Sequence, residues 1–179
     1  VIDAYIENSQ IVLNASDQIL VGDVAVDTSQ MTQYTYSLHE GYSDMNNFEK
    51  KIAASIDKTK KTWFRNPARG VFEIPLLDKG GTKNFYPAFV VWSGNDVFAI
   101  DTKGDHLIKE DSSRKLFIAS DGSRGGSGLF IRLITEGKWN QEIMKESQER
   151  LVWINKQGKI HPLHVKNTDD AVQAALRKY

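Results

Sequence analysis

Phe85-Tyr86-Pro87-Ala88-Phe89-Val90-Val91-Trp92-Ser93-Gly94-Asn95-Asp96-Val97-Phe98-Ala99-Ile100-Asp101-Thr102-Lys103 is the stretch on which the fold turns. Two apolar runs flank Gly94 and Asn95, a pair suited to the positive φ values of a two-residue hairpin turn. Counting outward from that turn sets Ser93 against Asp96, Trp92 against Val97 and Ala88 against Asp101. Directly opposed residues share one side of a sheet with Cβ atoms roughly 4.5–5.5 Å apart, so a side chain at 88 is expected to converge with Asp101 and with Lys103, two residues on. Phe89, Val91, Phe98 and Ile100 then make the other face wholly apolar, which predicts a central, covered pair of strands. Charges at the end of such a strand need partners, because an unpaired buried charge is costly.

Upstream, Phe48, Ile52 and Ile56 recur every fourth position, the spacing of one helical stripe, and predict a helix ending near Asp57. Asn46 three residues before Glu49 has the form of a capping box. Trp63-Phe64 and residues 71–77, 85–92 and 97–101 are strand-like in their β-branched and aromatic content. A helix is expected over residues 111–120, a Gly/Ser-rich loop over 121–128 and a further strand over 129–135. Residues 139–150 are expected to be helical, residues 151–154 and 160–165 to form a hairpin around Gln157-Gly158, and residues 168–179 to form a short helix capped by Thr168 or Asp169. Near the start, Ile11-Val12-Leu13 and Ile19-Leu20-Val21 read as another hairpin, and residues 28–43 as a polar linker.

This order of elements suggests α/β architecture around a mixed sheet, with additional N- and C-terminal β-hairpin elements. We divide the chain into residues 1–43, a hairpin and linker from an upstream domain; 44–137, the core; and 138–179, a helix, hairpin and helix extension.

With 179 residues, 40% hydrophobic and 26% charged, the chain can bury a sizeable core and has the composition of an ordinary globular protein. Cysteine is absent, which excludes disulfides, thiolate metal sites and a cysteine nucleophile. His39, His106, His161 and His164 lack zinc-ligand spacing, although His106 follows the Asp101-Thr102-Lys103 segment closely enough to approach it. Lys and Arg total 23 and so do Asp and Glu, so any nucleic-acid surface has to be local. No apolar run reaches the length of a membrane span. The sequence starts at Val1 without an initiator Met and runs straight into strand-like residues with no signal-peptide pattern, so it reads as an excised fragment.

The ordered set of a Glu49-bearing helix, Trp63-Phe64-Arg65-Asn66-Pro67, a strand over residues 71–75, Tyr86-Pro87 and Asp101-Thr102-Lys103-Gly104 resembles the PD-(D/E)xK nuclease superfamily. Within it, the likeness is to the C-terminal endonuclease domain of the restriction subunit of type III restriction enzymes, over roughly residues 44–117. The resemblance implies a restriction-endonuclease-like mixed central sheet flanked by helices, and hydrolysis of DNA phosphodiester bonds. It further implies Mg²⁺ (or Mn²⁺) held by Asp101, by the position of Ala88 and by Glu49, with Lys103 activating the attacking water. Hard oxygen ligands suit such an ion, and a lysine adds positive charge beside the scissile phosphate. An upstream helicase or ATPase domain of the same polypeptide, a partner subunit and a restriction or anti-phage setting in a bacterial or archaeal cytoplasm are implied likewise. No Walker-type loop occurs in this chain; the glycine-rich residues 123–128 lack its lysine.

Where the family has an aspartate, this chain has Ala88, which supplies no oxygen. An introduced substitution, a naturally degenerate nuclease and a different alignment each account for the alanine. Other residues also have plain structural readings: Glu49 as the return half of its capping box, Asp101 and Lys103 as a strand-end ion pair, Lys115 as a solvated helical lysine rather than a phosphate contact. Lys58, Lys60, Lys61, Arg65 and Arg69, interleaved with Trp63 and Phe64, form either a DNA-contacting patch or a solvated loop. Two rival functions stay open, a catalytically dead nuclease-fold module that binds DNA or docks, and a protein–protein module.

Overall fold

The computed structural model describes residues 21, 23–67, 71–78, 81–102, 128–136, 150–156 and 159–179. Among them the hairpin read from Gly94-Asn95 forms as counted: β6 (Phe89–Ser93) and β7 (Asp96–Asp101) are antiparallel, with Ser93 opposite Asp96 and Phe89 opposite Ile100. Gly94 supplies a φ of 63°, a value that a Cβ would penalise.

The hairpin lies within a six-stranded mixed sheet ordered β10-β9-β8-β7-β6-β3. β3 (Trp63–Arg65) flanks β6 on one side, and β8 (Leu129–Thr135) runs parallel to β7 on the other. Parallel neighbours need a crossover, and here the chain leaves β7 and returns at Gly128, whose N–H donates to Asp96 Oδ1 at 3.1 Å and whose carbonyl accepts from Val97 N at 2.9 Å. β9 (Arg150–Lys156) and β10 (Lys159–Val165) extend the same sheet to its far edge, so the C-terminal hairpin is continuous with the core.

Alternation along the strands separates two apolar layers. Trp63, Phe89, Val91, Phe98, Ile100, Val152 and Ile154 face helices α1 (Asn47–Asp57) and α2 (Thr168–Ala175), burying Ile52, Ile56, Ala171 and Val172. Phe64, Val90, Val97, Ala99, Ile131 and Leu133 face the other way and are covered by Phe72, Ile74 and Phe85. Both described helices thus lie on one face. Across from them is a two-stranded ribbon, β4 (Ile74–Asp78) with β5 (Gly81–Phe85).

That ribbon departs from the sequence reading. Residues 85–92 do not run as one strand: Phe85 closes β5 and β6 opens only at Phe89. Pro87 has no N–H to give a ladder, and Asn66 Nδ2 takes its carbonyl at 3.0 Å and that of Phe72 at 2.8 Å, pinning the break. Residues 28–43 are more than a linker. β1 (Thr32–Gln33) pairs with β2 (Gly41–Tyr42), and Tyr34 and Tyr42 pack on the Trp63 ring at centroid distances of 5.0 and 5.6 Å. A run scored as polar therefore contributes aromatic core.

α1 carries the expected capping box, with Asn46 Oδ1 accepting from Glu49 N at 2.9 Å and Glu49 Oε2 from Asn46 N at 3.1 Å. α2 is capped by Asn167, not by Thr168 or Asp169; the Asn167 side chain accepts from Asp170 N at 2.8 Å. Arg150, expected to end a helix, begins β9. The N-terminal hairpin apart from Val21, the helices expected over 111–120 and 139–149, and most of the Gly/Ser-rich loop lie outside the described residues.

Candidate functional site

The end of the sheet opposite the Gly94 turn gathers the residues singled out by the sequence. Asp101, the last residue of β7, is 4% exposed and stands in register with Leu133 of β8. Alternation puts it on the ribbon side, with Ala99. Ala88 lies one step beyond the final β6–β7 pair, so the register carries it to Asp101. Its carbonyl accepts from Asn66 N at 2.9 Å, continuing the β3–β6 ladder. Ala88 occupies a bend, however, and packs with the helix-side layer, because alternation along β6 stops at Phe89. Extrapolation of the register would oppose the two positions, but the ladder ends at Phe89–Ile100 and Ala88 packs in the other layer, so the shared side expected for position 88 and Asp101 is not what the bend gives.

Glu49 enters from α1 on the helix side and is 3% exposed. Its Oε1 accepts from Arg65 Nη2 at 3.3 Å and from the Thr102 hydroxyl at 3.5 Å, while Oε2 returns to its own cap. The structure therefore brings Glu49 to Thr102, the middle residue of the Asp101-Thr102-Lys103 segment, through the helix-facing side of the strand. Arg65, foreseen as a DNA contact, turns inward: Nη1 donates to the carbonyls of Asn66 and, at 3.4 Å, of Ala88, and the guanidinium lies 5.8 Å from the Phe89 ring centroid. Its Nε has no hydrogen-bond partner among the described residues. Burial fits a residue that fixes the bend at 88 and holds Glu49.

The remaining basic residues scatter. Lys61 donates to Ser93 Oγ at 2.7 Å at the turn end of the hairpin. Lys58 pairs with Asp169 of α2 at 2.9 Å. Lys103, Lys115, Arg69 and His106 lie outside the described residues.

No family model, curated protein or solved structure matches the chain. The reading of this site accordingly rests on its own chemistry. A hard divalent cation needs several oxygen donors converging on one point. Ala88 offers none, and the oxygens of Glu49 already serve Arg65, Thr102 and the helix cap. The described residues as they stand do not fit a bound Mg²⁺: Asp101 lies on the ribbon side, and Ala88 packs in the helix-side layer.

Sequence reasoning missed the network behind the site. Tyr42 is fully buried, its hydroxyl accepting from Ser37 Oγ at 2.8 Å and lying 3.0 Å from His39 Nδ1. Burial raises the Tyr42 pKa against hydrogen bonds from Ser37 and from the Arg65 and His39 backbones. A Tyr-rich tract preceding a capped helix was the available signal.

Proposed function

We propose that this chain is a DNA endonuclease domain of the PD-(D/E)xK type whose metal site is incomplete at position 88. The observation that supports the reading is the β6–β7 hairpin within a mixed sheet, whose second strand ends on Asp101 and whose count, extended one step beyond the Phe89–Ile100 pair, would oppose residue 88 to Asp101. Support also comes from the element order: capped helix with Glu49, strand with Arg65, antiparallel hairpin, crossover, parallel strand. In this reading Asp101 and a carboxylate at 88 are the metal-ligand positions for Mg²⁺ or Mn²⁺, and Lys103 is the water-activating lysine. Glu49 is the helical acidic residue, held by Arg65. The partners are DNA, an upstream helicase or translocase domain, and a restriction or anti-phage complex in a bacterial or archaeal cytoplasm. Among the described residues no helix is long and apolar enough to cross a membrane.

The ion pair between Arg65 and Glu49 favours a second reading. A glutamate neutralised in the interior, beside an alanine, suits a nuclease-fold module that has kept DNA binding or docking and lost the chemistry. Ala88→Asp decides between them. Nicking of plasmid DNA in Mg²⁺ or Mn²⁺, abolished by EDTA and by adding Asp101→Asn, supports the nuclease. The substituted protein, folded and joined to its motor with ATP present yet inert in both metals, supports the docking module.

A further inference from the structure

Along α1, from Lys50 in its first turn to Lys58 at its C-cap, an open groove of about 390 Å³ runs between the helix and β1. Lys50, Lys58 and Lys60 line it, with Thr32 and Gln33 from β1 and Tyr36 beside them. The Asp57 carboxylate is the one acidic group in the lining, and its oxygens already accept from Thr35 N at 3.0 Å, Tyr36 N at 2.8 Å and Trp63 Nε1 at 3.0 Å. Lys58 is paired with Asp169 at 2.9 Å, which leaves Lys50 and Lys60 as the cations of the groove against an Asp57 carboxylate turned to two backbone N–H groups and the Trp63 indole. Tyr36 keeps 39% of its surface exposed in a chain whose other aromatic side chains near β3 are buried or half-buried.

Lys60 adds an independent observation. It closes the turn after α1 with a φ of 58°, and it is the sole non-glycine residue with positive φ among the described residues. Glycine or asparagine is usual in that conformation at a helix end, because a Cβ is penalised there. Offsetting the helix dipole accounts for one cation at this end, and Lys58 already fills that role. A strained lysine points to a use for its charge.

We propose that this groove holds the phosphodiester backbone of a single-stranded nucleic-acid segment, with Lys50 and Lys60 at the phosphates and Tyr36 offering a ring face to a base. Cationic grooves edged by aromatic rings bind single strands in this manner without reading sequence. The site deepens the proposed nuclease function and rests on it for its biological sense. It does not depend on catalysis.

The test is fluorescence anisotropy of labelled oligo-dT, oligo-U and a short duplex with the full chain in EDTA. Two phosphate contacts predict that affinity for the single strands falls roughly sevenfold over a fourfold rise in salt. Lys60→Gly is the decisive variant, because it relieves the backbone and removes the charge. Its melting midpoint should hold or rise, its affinity should fall severalfold, and its salt slope should drop by about 0.7, one contact's worth. Lys166→Gln, on the exposed turn between β10 and α2, controls for net charge and should bind as the parent does. Similar affinity for the two single strands locates recognition in the shared backbone; preference for one adds sugar recognition to the same site. Unchanged binding in Lys60→Gly, an equal loss in Lys166→Gln, or tighter binding of the duplex overturns the proposal. Cleavage by Ala88→Asp with salt-independent or lysine-independent binding leaves the nuclease standing and removes this groove; lysine-dependent binding without any cleavage does the reverse.

Discussion

Arg65 and Glu49 meet inside the protein at 3.3 Å, Nη2 to Oε1, with side chains only 8% and 3% exposed. Taking two charges out of water is expensive, and breaking such a pair strands one of them. Arg65→Met should therefore cost about 3–5 kcal/mol, the usual range for orphaning a buried charge. Glu49→Leu combined with Arg65→Met should recover most of it. Urea unfolding of the three proteins checks this; a double variant as unstable as the single one would mean that the guanidinium's bonds to the Asn66 and Ala88 carbonyls matter more than the ion pair.

Asp57 contributes to the acid limb of stability at the other end of α1. Burial alone would push its pKa up, but hydrogen bonds from Thr35, Trp63 and Tyr36 outweigh that and hold it below the ordinary 3.8. A depressed carboxylate stabilises the fold fully above the unfolded value and loses that contribution as pH falls through the folded one. Asp57→Ala should cost about 2 kcal/mol at neutral pH, since water can replace part of three lost bonds to a half-buried group. The variant should also lose part of the fall in stability below pH 3.8. Denaturant midpoints between neutral pH and the acid limit test both statements.

Gly41 is constrained by space. A Cβ there would meet the Thr32 carbonyl oxygen at 2.5 Å and Met31 Cγ at 2.6 Å. The Met31 side chain can move, but the β1 backbone cannot without breaking its pairing with β2. Gly41→Ala should cost about 1–3 kcal/mol, as overpacking does, and should speed amide exchange over residues 32–42. Unchanged exchange would show that β1 has room to shift.

Arg132 is a buried cation placed against the end of α2. Its Nε donates to the Ala175 carbonyl and its Nη2 to that of Arg177, each at 3.1 Å, and it lies over Phe98 and Phe130 at 5.8 and 5.2 Å. Burial lowers its pKa to about 10, so it stays charged at neutral pH. Arg132→Met should leave the helix-end carbonyls unpaired and cost about 2–4 kcal/mol, the range for several lost bonds from one charged donor. Loosening confined to residues 168–179, read by amide exchange, is the expected signature; uniform loosening would assign Arg132 to the whole core.

How much was legible in the sequence follows from what each signal depends on. The hairpin register came from a two-residue turn and a period of two, both local, and it is the register observed from Ser93–Asp96 to Phe89–Ile100; the last counted pair, Ala88 with Asp101, is lost to the bend at 88. The capping box at Asn46 is local too. The ribbon was missed because Phe85 and Phe89 read as one apolar run, and only Asn66, nineteen or more residues away in the chain, fixes the break at Pro87. Arg65 sits in a basic run by sequence and in the interior by structure, because Glu49 is its partner across a helix–strand contact. Long-range pairing decides such positions, and no window of neighbouring residues contains it.

Position 88 allows the proposed site to be tested without assaying cleavage. The alanine is 4% exposed, so Ala88→Asp places a carboxylate in the interior one step beyond the last β6–β7 pair, from where a shared metal would have to draw it toward Asp101. Two neighbouring carboxylates repel, and burying one unpaired is unfavourable, so the metal-free variant should be less stable than the parent by about 2–4 kcal/mol. A divalent cation that binds only the folded state restores stability by mass action, about 2.7 kcal/mol at a hundredfold excess over its dissociation constant. Adding Mg²⁺, Mn²⁺ or Ca²⁺ should therefore raise the melting midpoint of Ala88→Asp and leave the parent unmoved, and Asp101→Asn should erase the rise. Arg65 offers the competing outcome. Its Nη1 lies 3.4 Å from the Ala88 carbonyl and its Nε is unpartnered among the described residues, so the new carboxylate can instead swing to the guanidinium. In that case Ala88→Asp would be stable without metal, indifferent to all three ions and destabilised by Arg65→Lys, and the assignment of positions 88 and 101 to one metal site would fail.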